Sequence, residues 1–106
     1  HNVMLLPGVM TPTDVAVSLQ YGFKTMKLFP AGDLPHSYVK DLKGPYDDTN
    51  YIAIGGVTPD NIPEFRAAGC LGVGLASSLM PKDKVKARDW DACAAYVETL
   101  AERAKG

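Results

Sequence analysis

The sequence predicts an α/β fold, four βα units in a row that make a parallel sheet with helices outside it, equivalent to half of a (β/α)8 barrel. Three observations predict it. Short apolar runs alternate strictly with amphipathic stretches along the chain, with no linker or low-complexity segment between them. Threonine–proline pairs, Thr11-Pro12 and Thr58-Pro59, follow two of these runs and read as helix starts, threonine as N-cap and proline at the first helical position. The 106 residues hold four such units, whereas a complete barrel has eight in roughly 200–250 residues.

Taken in order, Val3 to Leu6 is the first strand, stopped by Pro7-Gly8. The helix from Thr11-Pro12 turns Val15, Leu19 and Val17 inward and ends near Gly22, a C-cap glycine. Lys24 to Phe29 is the second strand, followed after Pro30-Ala31-Gly32 by a helix around His36 to Leu42 that Gly44-Pro45 closes. Tyr51 to Ile54 is the third strand, broken by Gly55-Gly56. From Thr58-Pro59 a helix carries Ile62, Phe65 and Ala68 inward before Gly69. Leu71 to Leu75 is the fourth strand. The last helix runs from about Arg88 to Ala104, with Trp90, Cys93, Ala94, Val97 and Leu100 or Ala101 at helical spacing.

Composition excludes more than it assigns. An apolar content of 46% with 22% charged residues is that of an ordinary globular domain. Eleven basic against 12 acidic residues give a net charge of −1, which points to neither a nucleic acid nor a membrane surface as partner. No long apolar run and no signal-like segment is present, so the expected location is cytoplasmic. Cys70 and Cys93 match no metal-ligand spacing and read as reduced core residues. The chain begins at His1-Asn2-Val3 without a methionine and enters a strand at once, as expected of a fragment or processed piece. Gly72-Val73-Gly74 lacks the third glycine of a dinucleotide fingerprint.

The residue richest in chemistry is Lys27. It lies near the end of Thr25-Met26-Lys27-Leu28-Phe29-Pro30, where alternation puts Thr25, Lys27 and Phe29 on one face. If both faces of that strand are covered, desolvation favours the neutral amine, a nucleophile toward carbonyls. The alternative is a strand-edge lysine whose ammonium reaches water.

Two glycine-rich loops accompany it. Ile54-Gly55-Gly56-Val57-Thr58-Pro59 and Gly74-Leu75-Ala76-Ser77-Ser78 stand at the carboxyl ends of consecutive strands, where barrels bind phosphate with backbone N–H groups. Either loop alone reads as a tight turn. The pair makes Gly55, Gly56, Ala76 and Ser77 the candidate phosphate-binding set, with Phe29, Pro30 and Ile54 as pocket wall. Gly72, Gly74 and Ala76 share one face of the fourth strand, leaving room for a ligand or for a long side chain such as Lys27. His1 and His36 read as surface residues without partners, Asp47-Asp48 as a solvated turn able to accept a basic neighbour, and Lys82 to Arg88 as a solvated basic segment. Tyr21, Tyr38 and Tyr96 read as amphipathic packing.

Four segments together carry a family resemblance: Leu6-Pro7-Gly8-Val9-Met10-Thr11-Pro12, Lys27-Leu28-Phe29-Pro30-Ala31, Gly44-Pro45-Tyr46 and Gly55-Gly56-Val57-Thr58-Pro59. In order and spacing they resemble strands five to eight of the 2-keto-3-deoxy-6-phosphogluconate (KDPG) and 4-hydroxy-2-oxoglutarate (KHG) aldolases, from His1 to about Pro81. The resemblance implies a class I aldolase without metal or cofactor, a Schiff base on Lys27, phosphate on the Gly55-Gly56 loop and Ser77, pyruvate as a product, and a homotrimer. Residues 1–106 would then be the carboxyl-terminal half of the barrel. The general-base glutamate and carboxylate-binding arginine that the family keeps on early strands have no counterpart here. Ile54 stands where many gluconate-type members carry threonine, and the loops are more similar to the 6-phosphogalactonate branch. A non-catalytic phosphate-binding half-barrel is the alternative. An isomerase would need a carboxylate at a strand end, and the sequence offers none.

Overall fold

Four short strands, hydrogen-bonded in chain order and all parallel, form the sheet in this computed structural model, which describes residues 2–105. They are β1 (Gly8–Val9), β2 (Thr25–Leu28), β3 (Asn50–Ile54) and β4 (Gly72–Gly74). The helices are α1 (Pro12–Gln20), α2 (Tyr38–Lys43), α3 (Ile62–Ala67), α4 (Lys82–Lys86) and α5 (Trp90–Ala104). The βα alternation and the sequential order are as the sequence predicts.

Strand alternation divides the sheet into two unlike faces. Val9, Met26, Leu28, Tyr51 and Ala53 point one way and are buried. They join one core with Val15 of α1, Val39 and Leu42 of α2, Ile62 and Phe65 of α3, and Leu100 of α5. The other face carries Thr25, Lys27, Ile52 and Ile54, each only half-buried, with Phe29 51% exposed just past the end of β2. Register runs Gly8–Lys27–Ile52–Gly72 straight across that face. Helix packing therefore accounts for one side of the sheet and leaves the lysine on the other.

Helix α1 starts as its sequence dictates. The Thr11 hydroxyl accepts the Asp14 N–H at 3.2 Å, and Asp14 Oδ2 accepts the N–H groups of Thr11 and Met10, each at 3.0 Å. This reciprocal cap satisfies donors the helix cannot. Donation from the Thr11 N–H first, then from the Met10 N–H and the Thr11 hydroxyl, holds the Asp14 carboxyl below its ordinary value of 3.8. A lowered folded-state pKa contributes stability above the unfolded value and loses it as pH falls through the carboxylate range. Asp14→Asn is accordingly expected to lower the melting temperature near pH 6, and the gap from the parent to narrow toward about pH 3.

Several expectations fail, each for a physical reason. The first strand is not Val3 to Leu6: those residues are irregular and exposed, from 40% at Leu6 to 89% at Met4, and pairing with β2 begins at Pro7, whose carbonyl accepts the Lys27 N–H at 2.8 Å. Thr58-Pro59 does not start α3. Asn61 lies three residues after Thr58, its amide oxygen accepts the Thr58 N–H at 2.8 Å, and the helix begins at Ile62. On α1, Val17 faces solvent and Ser18 takes the buried position. On α5, Cys93 and Leu100 are buried as expected, but Trp90 is 60% exposed and Ala94 is also exposed. Tyr21 is exposed rather than packed.

The polar surface also differs. His36 has a partner, with Nε2 3.0 Å from Glu64 Oε2 and its ring edge-on to Phe65 at 5.3 Å. Asp48 accepts Lys24, the basic neighbour its turn was expected to allow. Lys82–Lys86, expected as a solvated segment, is the short exposed helix α4. His1 lies outside the described residues.

Candidate active site

Lys27 stands in the middle of β2 with neighbours on both sides, Gly8 on β1 and Ile52 on β3. The small Gly8 leaves the groove beside the lysine open. Its ammonium lies 5.4 Å from the Phe29 ring centroid, within cation–π range. Among the described residues no carboxylate comes within ion-pair distance of it. Leu6, Gly8, Val9, Met10, Asp14 and Phe29 complete a groove of about 420 Å³ around this amine. The open, half-buried setting is closer to the strand-edge alternative than to a fully enclosed lysine.

Beyond Phe29 the chain makes a second cavity, of about 310 Å³, and Phe29 lines both. Its walls include Ile54, Gly55, Gly56, Gly74, Ala76 and Ser77. Gly55 and Gly56 both take positive φ, 88° and 71°, where a side chain is strained. The N–H groups of Gly56, Val57, Ser77 and Ser78 find no acceptor among the described residues. A small concave site with several unpaired N–H donors is suited to an anion.

The structure thus brings six of the eight predicted site residues into this cavity: Gly55, Gly56, Ala76, Ser77, Phe29 and Ile54. Lys27 sits in the adjoining groove, reached past Phe29. Pro30 is not on the wall; it backs the turn, its Cα 3.2 Å from where a Gly55 side chain would begin. Gly74 leaves the space that Ile54 fills, since a Cβ on Gly74 would meet Ile54 Cγ1 at 3.0 Å. At this position the small residue of β4 makes room for a neighbour's side chain and also lines the cavity.

Sequence reasoning missed three groups. Asp14 is a carboxylate in the Lys27 groove at a strand end, which Thr11-x-x-Asp14 signals only as a helix cap. Its Oδ2 is engaged in capping α1, accepting the N–H groups of Met10 and Thr11. Ser78 and Thr58 also line the second cavity. Gly32 is the third: its N–H donates to the Gly55 carbonyl at 2.8 Å, and a Cβ there would lie 2.8 Å from Gly56 Cα. Gly32→Ala therefore forces backbone apart, at a cost of about 1–3 kcal/mol. Gly74→Ala, which meets the Ile54 side chain rather than backbone, is expected to cost less; paired denaturation curves check the order. The two cysteines are buried, and burial pushes the Cys70 thiol up against the opposing effect of Lys43 and Arg66, which disfavours its thiolate.

Comparison with known proteins shows the family of the chain. The aldolase family described as "KDPG and KHG aldolase" matches residues 1–96. The chain is 33% identical to the 2-dehydro-3-deoxy-6-phosphogalactonate aldolase of Escherichia coli K12, over 96% of this chain and 50% of that protein. It is 30% identical to the KHG/KDPG aldolase of the same strain, over 98% of this chain and 49% of the relative. A solved structure described as "Native KDPGal structure" superposes with a TM-score of 0.75 at 33% identity, covering 95% of this chain and 50% of the other. The chain spans about half the length of the curated relatives it matches. The motifs around Lys27 and the glycine pair thus sit in a sequence that belongs, by a match over nearly its whole length, to the KDPG and KHG aldolase family.

Proposed function

We propose that these residues form the carboxyl-terminal half of a (β/α)8 barrel acting as a class I aldolase. The substrate class is a six-carbon 2-keto-3-deoxy-6-phospho sugar acid, gluconate or galactonate in configuration, cleaved to pyruvate and glyceraldehyde 3-phosphate. The observation that carries the reading is the shared wall at Phe29: the groove holding the Lys27 amine and the cavity lined by glycine-loop N–H groups meet there. An extended phosphorylated chain can span the two.

Lys27 attacks the C2 ketone, and loss of water gives a protonated Schiff base. When a base removes the C4 hydroxyl proton, the C3–C4 bond breaks and its electrons pass into that cation. The resulting enamine is protonated at C3 and hydrolysed, releasing pyruvate and the free amine. Phosphate held in the anion cavity contributes binding energy remote from the reacting carbons and aligns them with the amine. Asp14 is not assigned as that base, because its Oδ2 is taken up by the N–H groups of Met10 and Thr11 at the start of α1.

The uncovered face of the sheet supports the half-barrel reading. Ile52 and Ile54 on that face are only half-buried and Phe29 beside it is 51% exposed, while Val3 and Leu5 in the irregular stretch before β1 are 76% and 56% exposed; burying such side chains is worth roughly 1.5–3 kcal/mol each. Four further strands would cover this face and close the sheet edges. A homotrimer completes the reading; it rests on the family resemblance.

The test is a coupled assay for pyruvate release from the two 6-phospho sugar acids. The 106 residues alone are expected to show no turnover, and the same residues joined to an amino-terminal half-barrel to show it. Pyruvate release by neither would refute the reading, and full activity of the isolated chain would refute the half-barrel.

A further inference from the structure

We propose that Asn61 and Ser78 are positioning residues that hold the Gly55–Thr58 turn in the one peptide orientation able to bind the substrate's phosphate. The inference rests on the aldolase reading above and adds to it how the anion turn is kept in shape.

Three consecutive carbonyls of the turn are each taken by a donor from a different part of the fold. The Gly32 N–H donates to Gly55 O at 2.8 Å, Asn61 Nδ2 to Gly56 O at 3.0 Å, and the Ser78 hydroxyl to Val57 O at 2.7 Å. In a trans peptide the C=O and the next N–H point in opposite directions. Drawing the Gly55 and Gly56 carbonyls toward Gly32 and Asn61 therefore turns the Gly56 and Val57 N–H groups the other way, and these two have no acceptor among the described residues. The next peptide is fixed at both ends, its C=O by Ser78 and its N–H by Asn61 Oδ1 at 2.8 Å.

The clamp has a reason in the backbone. Gly55 and Gly56, with φ of 88° and 71°, are the residues whose flanking peptides rotate at least cost. Unclamped, the turn would spread over several peptide orientations, and an anion would have to select the productive one. Asn61 grips the turn on both sides of Val57, since its side chain accepts from Thr58 and donates to Gly56. Ser78 ties the turn to the loop after β4, which supplies the other half of the cavity wall. Ser77 and Ser78 thus differ in part: the Ser78 hydroxyl is used on Val57, while that of Ser77 has no partner among the described residues.

The test uses the full-length enzyme with Asn61→Asp, which keeps the acceptor for Thr58 but loses the donor to Gly56, and with Ser78→Ala and Ser78→Thr. Four quantities are read: KM and kcat for the phosphorylated sugar acid, the inhibition constant of inorganic phosphate, and pyruvate-dependent borohydride labelling of Lys27. Asn61→Asp and Ser78→Ala are expected to raise KM and the phosphate inhibition constant together by about tenfold, the size of one net hydrogen bond. The fall in kcat should be smaller, labelling by phosphate-free pyruvate should persist, and Ser78→Thr should restore phosphate inhibition. Unchanged phosphate inhibition in both Asn61→Asp and Ser78→Ala would overturn the proposal. So would a Ser78→Thr variant as impaired as Ser78→Ala, or a loss confined to kcat. Failure of the parent enzyme to label with pyruvate would instead refute the aldolase reading itself.

Discussion

Lys27→Ala in the full-length enzyme is expected to abolish cleavage, by at least about 10⁴-fold in kcat, the scale seen when a covalent catalyst is removed. Alanine has no amine to form the imine, so the electron sink for C3–C4 cleavage is gone rather than weakened. Lys27→Arg is expected to be equally inactive, because a guanidinium stays protonated and cannot condense with a ketone. The fold should survive both. Lys27 lies on the face away from the helix-packed core, and its ammonium makes no ion pair among the described residues that its replacement would break. A stability loss below about 1 kcal/mol is therefore expected. Steady-state cleavage rates and parallel thermal melts check the pair of claims, and turnover within tenfold of the parent by either variant would contradict them.

Gly56→Val is expected to raise KM for the phosphorylated substrate by about 10- to 100-fold while leaving pyruvate condensation with Lys27 in place. Two effects add at this position. Its φ of 71° is a conformation that costs a β-branched residue about 1–3 kcal/mol. Any Cβ would also lie 3.0 Å from the Gly32 Cα, a backbone atom that cannot rotate away. The turn must then move, and with it the N–H groups that line the anion cavity. Pyruvate carries no phosphate and, on the proposed mechanism, would form its adduct in the neighbouring groove, so its labelling separates loss of the phosphate handle from loss of the nucleophile. Equal damage to both would show that the turn supports the whole site.

The contrast between the two threonine–proline pairs shows what was legible in the sequence. Thr11-Pro12 and Thr58-Pro59 are the same dipeptide after the same kind of strand, yet only the first begins a helix. The difference lies three residues on. Asp14 can accept N–H groups across the helix start, while Asn61 can also donate, and its side chain closes a turn onto Gly56 instead. The pattern locates the loop; the donor inventory decides its shape.

The glycine pair and the strand with Lys27 were legible because alternation and positive-φ residues are local properties. The placement of β1 was not. Val3 to Leu6 is the more apolar stretch, and the two-residue pairing at Gly8–Val9 is set by register against β2, a long-range property. The exposure of that apolar stretch is what a missing neighbour would produce. Lys82–Lys86 carries no apolar periodicity, so nothing in it announced α4. Gly32 escaped notice because its importance lies in the approach of another loop, which no window of sequence displays.

The central claim is that Lys27 is the Schiff-base lysine, and one measurement addresses it directly. The full-length enzyme is incubated with pyruvate, reduced with borohydride, digested, and the peptides weighed. The account predicts one reduced pyruvate adduct, on the peptide containing Lys27, at close to one per chain and absent without pyruvate. An active enzyme left unlabelled, or an adduct on another lysine with Lys27 unmodified, would contradict it.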